Sequence, residues 1–167
     1  MRATRLIGSL LVVASLAACG DGDFWASREV PLESFDAEQI YIRAEYDLEQ
    51  GDPEEAARLF GEVERLYPYS VWARRALIMQ AFAYHTARDY ENSRAAAQRF
   101  LDFYPADEDA AYAQYLLALS YYDQIDEVGR DQGLTFQALQ ALRRVIEFYP
   151  DSEYARSAIL KFDLAFD

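Results

Sequence analysis

The dipeptide Tyr-Pro occurs at Tyr67-Pro68, Tyr104-Pro105 and Tyr149-Pro150, with successive prolines 37 and 45 residues apart. Proline disfavours α geometry in the residue before it and has no N–H to give, so each dipeptide stops a helix at a fixed place. Ahead of each stop lies an amphipathic stretch of helical period. The first holds Ala56, Leu59, Phe60, Val63 and Leu66; the second Ala96, Ala97, Phe100, Leu101 and Phe103; the third Ala138, Leu142, Val145 and Ile146. A chain that repeats one helix stop at such intervals folds as an all-α solenoid of stacked helix pairs, and such stacks work by presenting surface to partners.

The pairs can be placed from their caps. The first is predicted over 36–49 and 53–66, broken at Gly51-Asp52, with Asp52 as N-cap, Pro53 in the first turn and Glu55 closing a capping box. The second runs over 70–86 and 89–103, turning at Ala87-Arg88-Asp89. The third starts near Asp107, runs to about 124 and resumes over 134–148. Its longer proline spacing is an insertion of eight residues, which falls within 125–133 and reads as a loop on one edge, a place for a partner. A further helix follows Asp151-Ser152, and the sequence stops within this fourth unit.

The repeat type follows position by position. Counting back from each proline, the tetratricopeptide pattern asks for small residues 24 and 12 positions earlier and a large apolar one 8 earlier. The units supply Ala44, Ala56 and Phe60; Ala81, Ser93 and Ala97; and, across the insertion, Ala118, Ala138 and Leu142. Tyr84 and Tyr121 fill the tyrosine position, whereas Asp47 stands there in the first unit and the usual Trp and Leu-Gly are missing. The array is a degenerate one of about three complete repeats plus the first helix of a fourth.

The N-terminus is a targeting segment. Arg2 and Arg5 precede an apolar run over 6–16, too short to span a bilayer, and Leu16-Ala17-Ala18 leads to Cys19, the one cysteine of the chain. This matches the bacterial lipobox: residues 1–18 are read as a lipoprotein signal peptide, Cys19 as the lipidated first residue of the mature chain, 19–35 as a tether, and 36–167 as the repeat domain. By resemblance to bacterial lipoproteins, in which Asp at this place implies inner-membrane retention, Gly20 implies outer-membrane sorting. Cys19 being committed, no internal disulfide is available and packing alone holds the fold. Loss of the two N-terminal arginines takes the net charge from −13 to −15, which repels phosphate backbones and anionic headgroups and excludes nucleic acid as a partner. Membrane attachment then rests on the lipid alone, at about 0.8 kcal/mol per buried CH₂.

No catalytic constellation is present: one histidine, His85, no Gly-rich phosphate loop and no paired metal-ligand motif, so no cofactor or metal is expected and the chain reads as non-enzymatic. The acidic groups Asp107-Glu108-Asp109 and Glu45/Asp47/Glu49 read as solvated faces and helix-start charges. In tetratricopeptide solenoids the first helix of each pair lines the concave face. The inward positions here are Glu38, Tyr41, Glu45 and Leu48; Arg75, Ile78, Phe82 and His85; and Tyr112, Tyr115, Leu119 and Tyr122. The aromatic and apolar members, with Arg75 and His85, form either a peptide groove or a stripe of core. As a groove they suit an extended peptide with aromatic side chains and a free carboxylate. In the insertion, Arg130 lies between Asp126, Glu127 and Asp131, either pinned by local ion pairs or offered to another subunit.

Together these features resemble the BamD-type lipoproteins of the β-barrel assembly machinery of the Gram-negative outer membrane. The resemblance rests on Leu16-Ala17-Ala18-Cys19, Tyr67-Pro68-Tyr69-Ser70, Ala111-Tyr112-Ala113-Gln114-Tyr115, Gly129-Arg130-Asp131-Gln132 and Tyr149-Pro150-Asp151-Ser152-Glu153-Tyr154-Ala155, and covers nearly the whole chain. It implies about five repeats, so this sequence reads as shortened at its C-terminus. It also implies that the earlier repeats receive unfolded outer-membrane proteins, recognising their C-terminal strand signal, while later repeats dock onto the POTRA domains of the barrel subunit BamA alongside other assembly lipoproteins. The alternative is a periplasmic scaffold that binds folded envelope or cell-wall proteins through its acidic convex surface.

Overall fold

The computed structural model describes residues 31–128 and 132–166. After a 3-10 turn at Leu32–Ser34 come seven helices: α1 (Ala37–Glu49), α2 (Pro53–Leu66), α3 (Val71–Thr86), α4 (Tyr90–Phe103), α5 (Ala110–Val128), α6 (Gln132–Phe148) and α7 (Glu153–Phe166). Each helix packs on the next, and the first helices of successive pairs, α1, α3, α5 and α7, also pack on one another. They form the inner layer of a tetratricopeptide-type solenoid, while the second helices α2, α4 and α6 splay apart outside it.

The helix limits follow from local chemistry. Asp36, Asp52, Ser70 and Asp89 each accept a hydrogen bond from the backbone N–H three residues on, satisfying an otherwise orphaned donor. The stops are alike: Tyr67 sits at φ −133, ψ 54 and Tyr104 at φ −131, ψ 53, each driven out of the α region by the following proline. Turns within the first two pairs match as well. Gly51 (φ 85) and Arg88 (φ 61) both take the left-handed conformation, and both lie 17 residues before their proline.

Two clusters make up the core. One joins Ile40, Tyr41, Leu59, Phe60 and Val63 between α1, α2 and α3; the other gathers Leu77, Phe100, Leu116, Leu142 and Val145. Met79 and Tyr84 pack against both, so the hydrophobic interior is continuous along the stack. All nine repeat-pattern residues, Ala44, Ala56, Phe60, Ala81, Ser93, Ala97, Ala118, Ala138 and Leu142, are 0% exposed. They mark where paired helices approach most closely.

Three expectations need correction. The insertion is not a nine-residue loop: α5 runs 19 residues against 16 for α3, and α6 runs 17 against 14 for α4. The shorter pairs turn at a left-handed residue, Gly51 or Arg88, whereas α5 stays helical through Gln124-Ile125-Asp126-Glu127-Val128. Asp126 and Glu127 therefore lie in the last turn of α5, while Arg130 and Asp131 are outside the described residues. Second, Glu55 does not close a capping box on α2. Its carboxylate takes Nε and Nη2 of Arg58 at 2.7 and 2.6 Å, and this pairing holds it below the usual carboxylate range. The capping box is on α1, between Asp36 and Gln39. Third, Asp107 is no freely solvated charge, because Arg74 grips both its carboxylate oxygens at 2.7 and 2.9 Å and reaches Asp109 at 3.5 Å.

Candidate functional site

The inner layer carries its rings on helices held in register by the buried alanines. At the N-terminal end Tyr41 of α1 is buried, edge-on to Phe60 at 5.3 Å and against Trp72 of α3 at 4.9 Å. The Arg75 guanidinium, exposed one turn further along α3, lies 5.5 Å from the centre of the Trp72 ring. Beyond it Ile78 is buried at 6% exposure, and Phe82 and His85 are half-buried. His85 stands edge-on to Tyr90, with Nε2 3.1 Å from Oδ2 of Asp123 on α5. That distance suits an ion pair, but the contact lacks hydrogen-bond alignment, and Nε2 is buried with no aligned acceptor.

At the other end α5 and α7 share a second ring cluster. Tyr154 of α7 lies over both Tyr112 and Tyr115, at 5.2 and 5.4 Å between ring centres. The Lys161 ammonium lies 4.4 Å from the centre of the Tyr122 ring. Tyr112, Tyr115 and Tyr122 are half-buried, each with part of the ring open to solvent. Burial, with Glu45 adding to it at Tyr41, pushes the Tyr41 phenol up to about 12, and burial does the same to Tyr112; Tyr115 and Tyr154 are raised in the same sense. The rings are thus neutral at ordinary pH and act as apolar surface with a hydroxyl tip.

The eight aromatic, apolar and basic residues read from the sequence therefore divide. Tyr41 and Ile78 belong to the core, whereas Arg75, Phe82, His85, Tyr112, Tyr115 and Tyr122 present part of themselves on the inner face. Three further members were not picked out: Trp72, Tyr154 and Lys161. Trp72 precedes Arg75 by three residues, the spacing that stacks side chains on one helix face. Tyr154 opens α7 as Tyr112 opens α5, and Lys161 follows it by seven residues, two turns along the same face.

Stacked helix pairs with rings and cations paired along their first helices define a tetratricopeptide-type repeat scaffold. The chain belongs to the YfiO family of outer membrane lipoproteins, whose family model matches residues 33–165. It is similar to the outer membrane protein assembly factor BamD of Caulobacter vibrioides, 40% identical over 161 residues, 96% of this chain and 52% of that protein. BamD of Rickettsia prowazekii is 32% identical over 168 residues, 100% of this chain and 65% of that protein, and BamD of Neisseria gonorrhoeae is 26% identical over 136 residues, 75% and 51% respectively. The chain thus spans about half to two thirds of the length of these relatives. Among the described residues no helix is long and apolar enough to cross a membrane.

Proposed function

We propose that this chain serves outer-membrane protein assembly as a lipid-anchored, non-enzymatic adaptor on the periplasmic face of the outer membrane. Cys19 carries the anchor. The inner face of the repeats takes extended, aromatic-bearing segments of unfolded barrel proteins, and the adaptor passes them to the barrel subunit BamA through its POTRA domains, beside other assembly lipoproteins. The assembly role rests on the family and on the names of the relatives. The peptide-binding role rests on one observation: ring-and-cation pairs recur along the inner layer, Arg75 over Trp72 near one end and Lys161 over Tyr122 near the other.

Each pair offers a flat apolar surface beside a fixed positive charge, which fits an aromatic side chain next to a carboxylate. Burying one ligand ring contributes about 1.5–3 kcal/mol, and ordering the peptide takes much of that back, which gives the short-lived binding a handover needs. The test is a titration with a barrel C-terminal peptide carrying either a free or an amidated terminus. Arg75→Ala should weaken the free-acid peptide more than the amide, because only the former offers a charge-assisted partner. Equal loss for both, or none, would remove Arg75 from the site.

A further inference from the structure

The outer layer has two grooves between successive second helices, and they differ in one respect. Between α2 and α4 a groove of about 370 Å³ carries a cation that is already paired: Arg99 of α4 donates to Oε2 of Glu64 at 2.5 Å and to the Gln80 side-chain oxygen at 3.0 Å. Between α4 and α6 a larger groove of about 550 Å³ lies over α5, a volume within the roughly 300–1,000 Å³ of ligand-sized sites. Arg94, Gln98, Tyr121, Phe136, Gln140 and Arg144 line it, and among the described residues no carboxylate does, on a chain of net charge −13.

The repeat register explains the difference. Arg144 lies six residues before Pro150, as Arg99 lies six before Pro105; the two are the same position in successive repeats. Glu64 lies four residues before Pro68, but the matching residue four before Pro105 is Leu101. Gln80, which bridges Arg99 to the Ala57 carbonyl in the first groove, is matched by Leu117 in the second. Arg144 is exposed and has no ion-pair partner among the described residues. The second groove thus keeps the cation and lacks the acid that neutralises it one repeat earlier.

We propose that this groove is a docking site for an extended acidic segment of a partner protein, with one of its carboxylates taking the place on Arg144 that Glu64 takes on Arg99. Arg94 is already committed: it donates to the Ser120 carbonyl at 3.1 Å and to the Gln124 side-chain oxygen at 2.9 Å, and lies 4.5 Å from the centre of the Tyr121 ring. It forms a fixed positive floor. Gln98 gives its amide to Asp102 at 2.8 Å and keeps its side-chain oxygen for a peptide N–H, while Gln140 offers both an amide and an oxygen to peptide backbone. Phe136, 60% exposed at the rim, supplies an apolar contact for a side chain of the same segment. The site is on the opposite layer from the aromatic inner face, so cargo and partner can be held together.

The test uses the full chain and a labelled, acetylated and amidated peptide in which glutamate alternates with serine around a central phenylalanine. Fluorescence anisotropy should show saturable binding that Arg144→Ala weakens about tenfold, as expected when a charge-assisted contact loses one partner. Leu101→Glu should weaken it comparably, because the new carboxylate supplies Arg144 with the partner that Glu64 supplies to Arg99. Should Leu101→Glu fail to fold, Arg144→Ala decides alone. Phe82→Ala, on the inner face, should leave this binding unchanged. No saturable binding, equal binding of the glutamine analogue, or unchanged affinity in Arg144→Ala would overturn the proposal. Full displacement by inorganic phosphate would reduce the groove to a bare anion site, and loss in Phe82→Ala would move the peptide to the inner face; either also overturns it.

Discussion

The Ser120 hydroxyl donates to the Ser93 hydroxyl at 2.9 Å, and Ser93 donates in turn to the Ala81 carbonyl at 2.9 Å. One buried hydrogen-bond chain thereby joins α5, α4 and α3 where the repeats otherwise meet through alanine. Both serines are 0% exposed, so each hydroxyl needs a partner. Ser93→Ala would remove the bond to Ala81 but leave Ser120 an alternative acceptor, the Leu116 carbonyl at 2.9 Å. The expected loss is therefore the net worth of one hydrogen bond, about 0.5–1.5 kcal/mol in a urea melt. Ser93→Val, which overfills the same contact, should cost about 1–3 kcal/mol.

Gly61 makes room for another buried polar group. A Cβ placed there would come within 2.4 Å of the Gln80 side-chain nitrogen, which donates to the Ala57 carbonyl at 3.0 Å. Gly61→Ala adds helix propensity worth about 0.8–1.0 kcal/mol but displaces that amide, at roughly 1–3 kcal/mol for a buried group left unpaired. A net loss of about 1 kcal/mol is expected. In Gly61→Ala/Gln80→Ala the clash no longer exists, so the double variant should be more stable than the sum of the single losses; strict additivity would show that the two side chains do not compete.

The two grooves and the core illustrate how far a sequence speaks. Helix stops at Tyr67 and Tyr104 and the nine packing residues were legible because each is a local rule repeated in register, and seven helices in a tetratricopeptide-type stack follow from them. The length of the insertion is legible in the proline spacing but its conformation is not, because a left-handed turn such as that at Arg88 carries no glycine or proline to announce it or, in α5 as far as Val128, its absence. At the inner face, periodicity placed Arg75 and Ile78 on one helix but could not divide them. Exposure there depends on how far neighbouring helices close over each position, which leaves Ile78 in the core cluster and Arg75 exposed beside Trp72.

Alkaline unfolding should report on the buried phenols. The Tyr112 phenol stands at about 12, against about 10 in an unfolded chain. A group raised on folding adds stability that is fully present below its unfolded value and is lost as pH climbs through the folded one, here between about 10 and 12. Above pH 10 the unfolded state is favoured by releasing this proton more readily than the folded one. Tyr112→Phe should therefore differ little from the parent at pH 7 and be the more stable of the two at pH 11. Parallel urea titrations at the two pH values check this, and identical pH profiles would show that the ring is solvated.

Arg75 and Ile78 lie three residues apart on α3, and their truncations should separate binding from folding. Ile78 is 6% exposed within the core, and its loss to Ala should cost about 2–5 kcal/mol through lost burial and the cavity left behind. Arg75 is exposed, with its one aromatic contact to Trp72, so Arg75→Ala should stay within about 0.5 kcal/mol. Phe82, half-buried between them and the far end of the helix, should fall in between. In thermal melts a loss of 1 kcal/mol lowers the Tm of a chain of this size by roughly 2–8 °C, so the three variants are resolvable. If Arg75→Ala lowered the Tm as far as Ile78→Ala, the guanidinium would be a structural clamp on Trp72 rather than a group held out for a ligand.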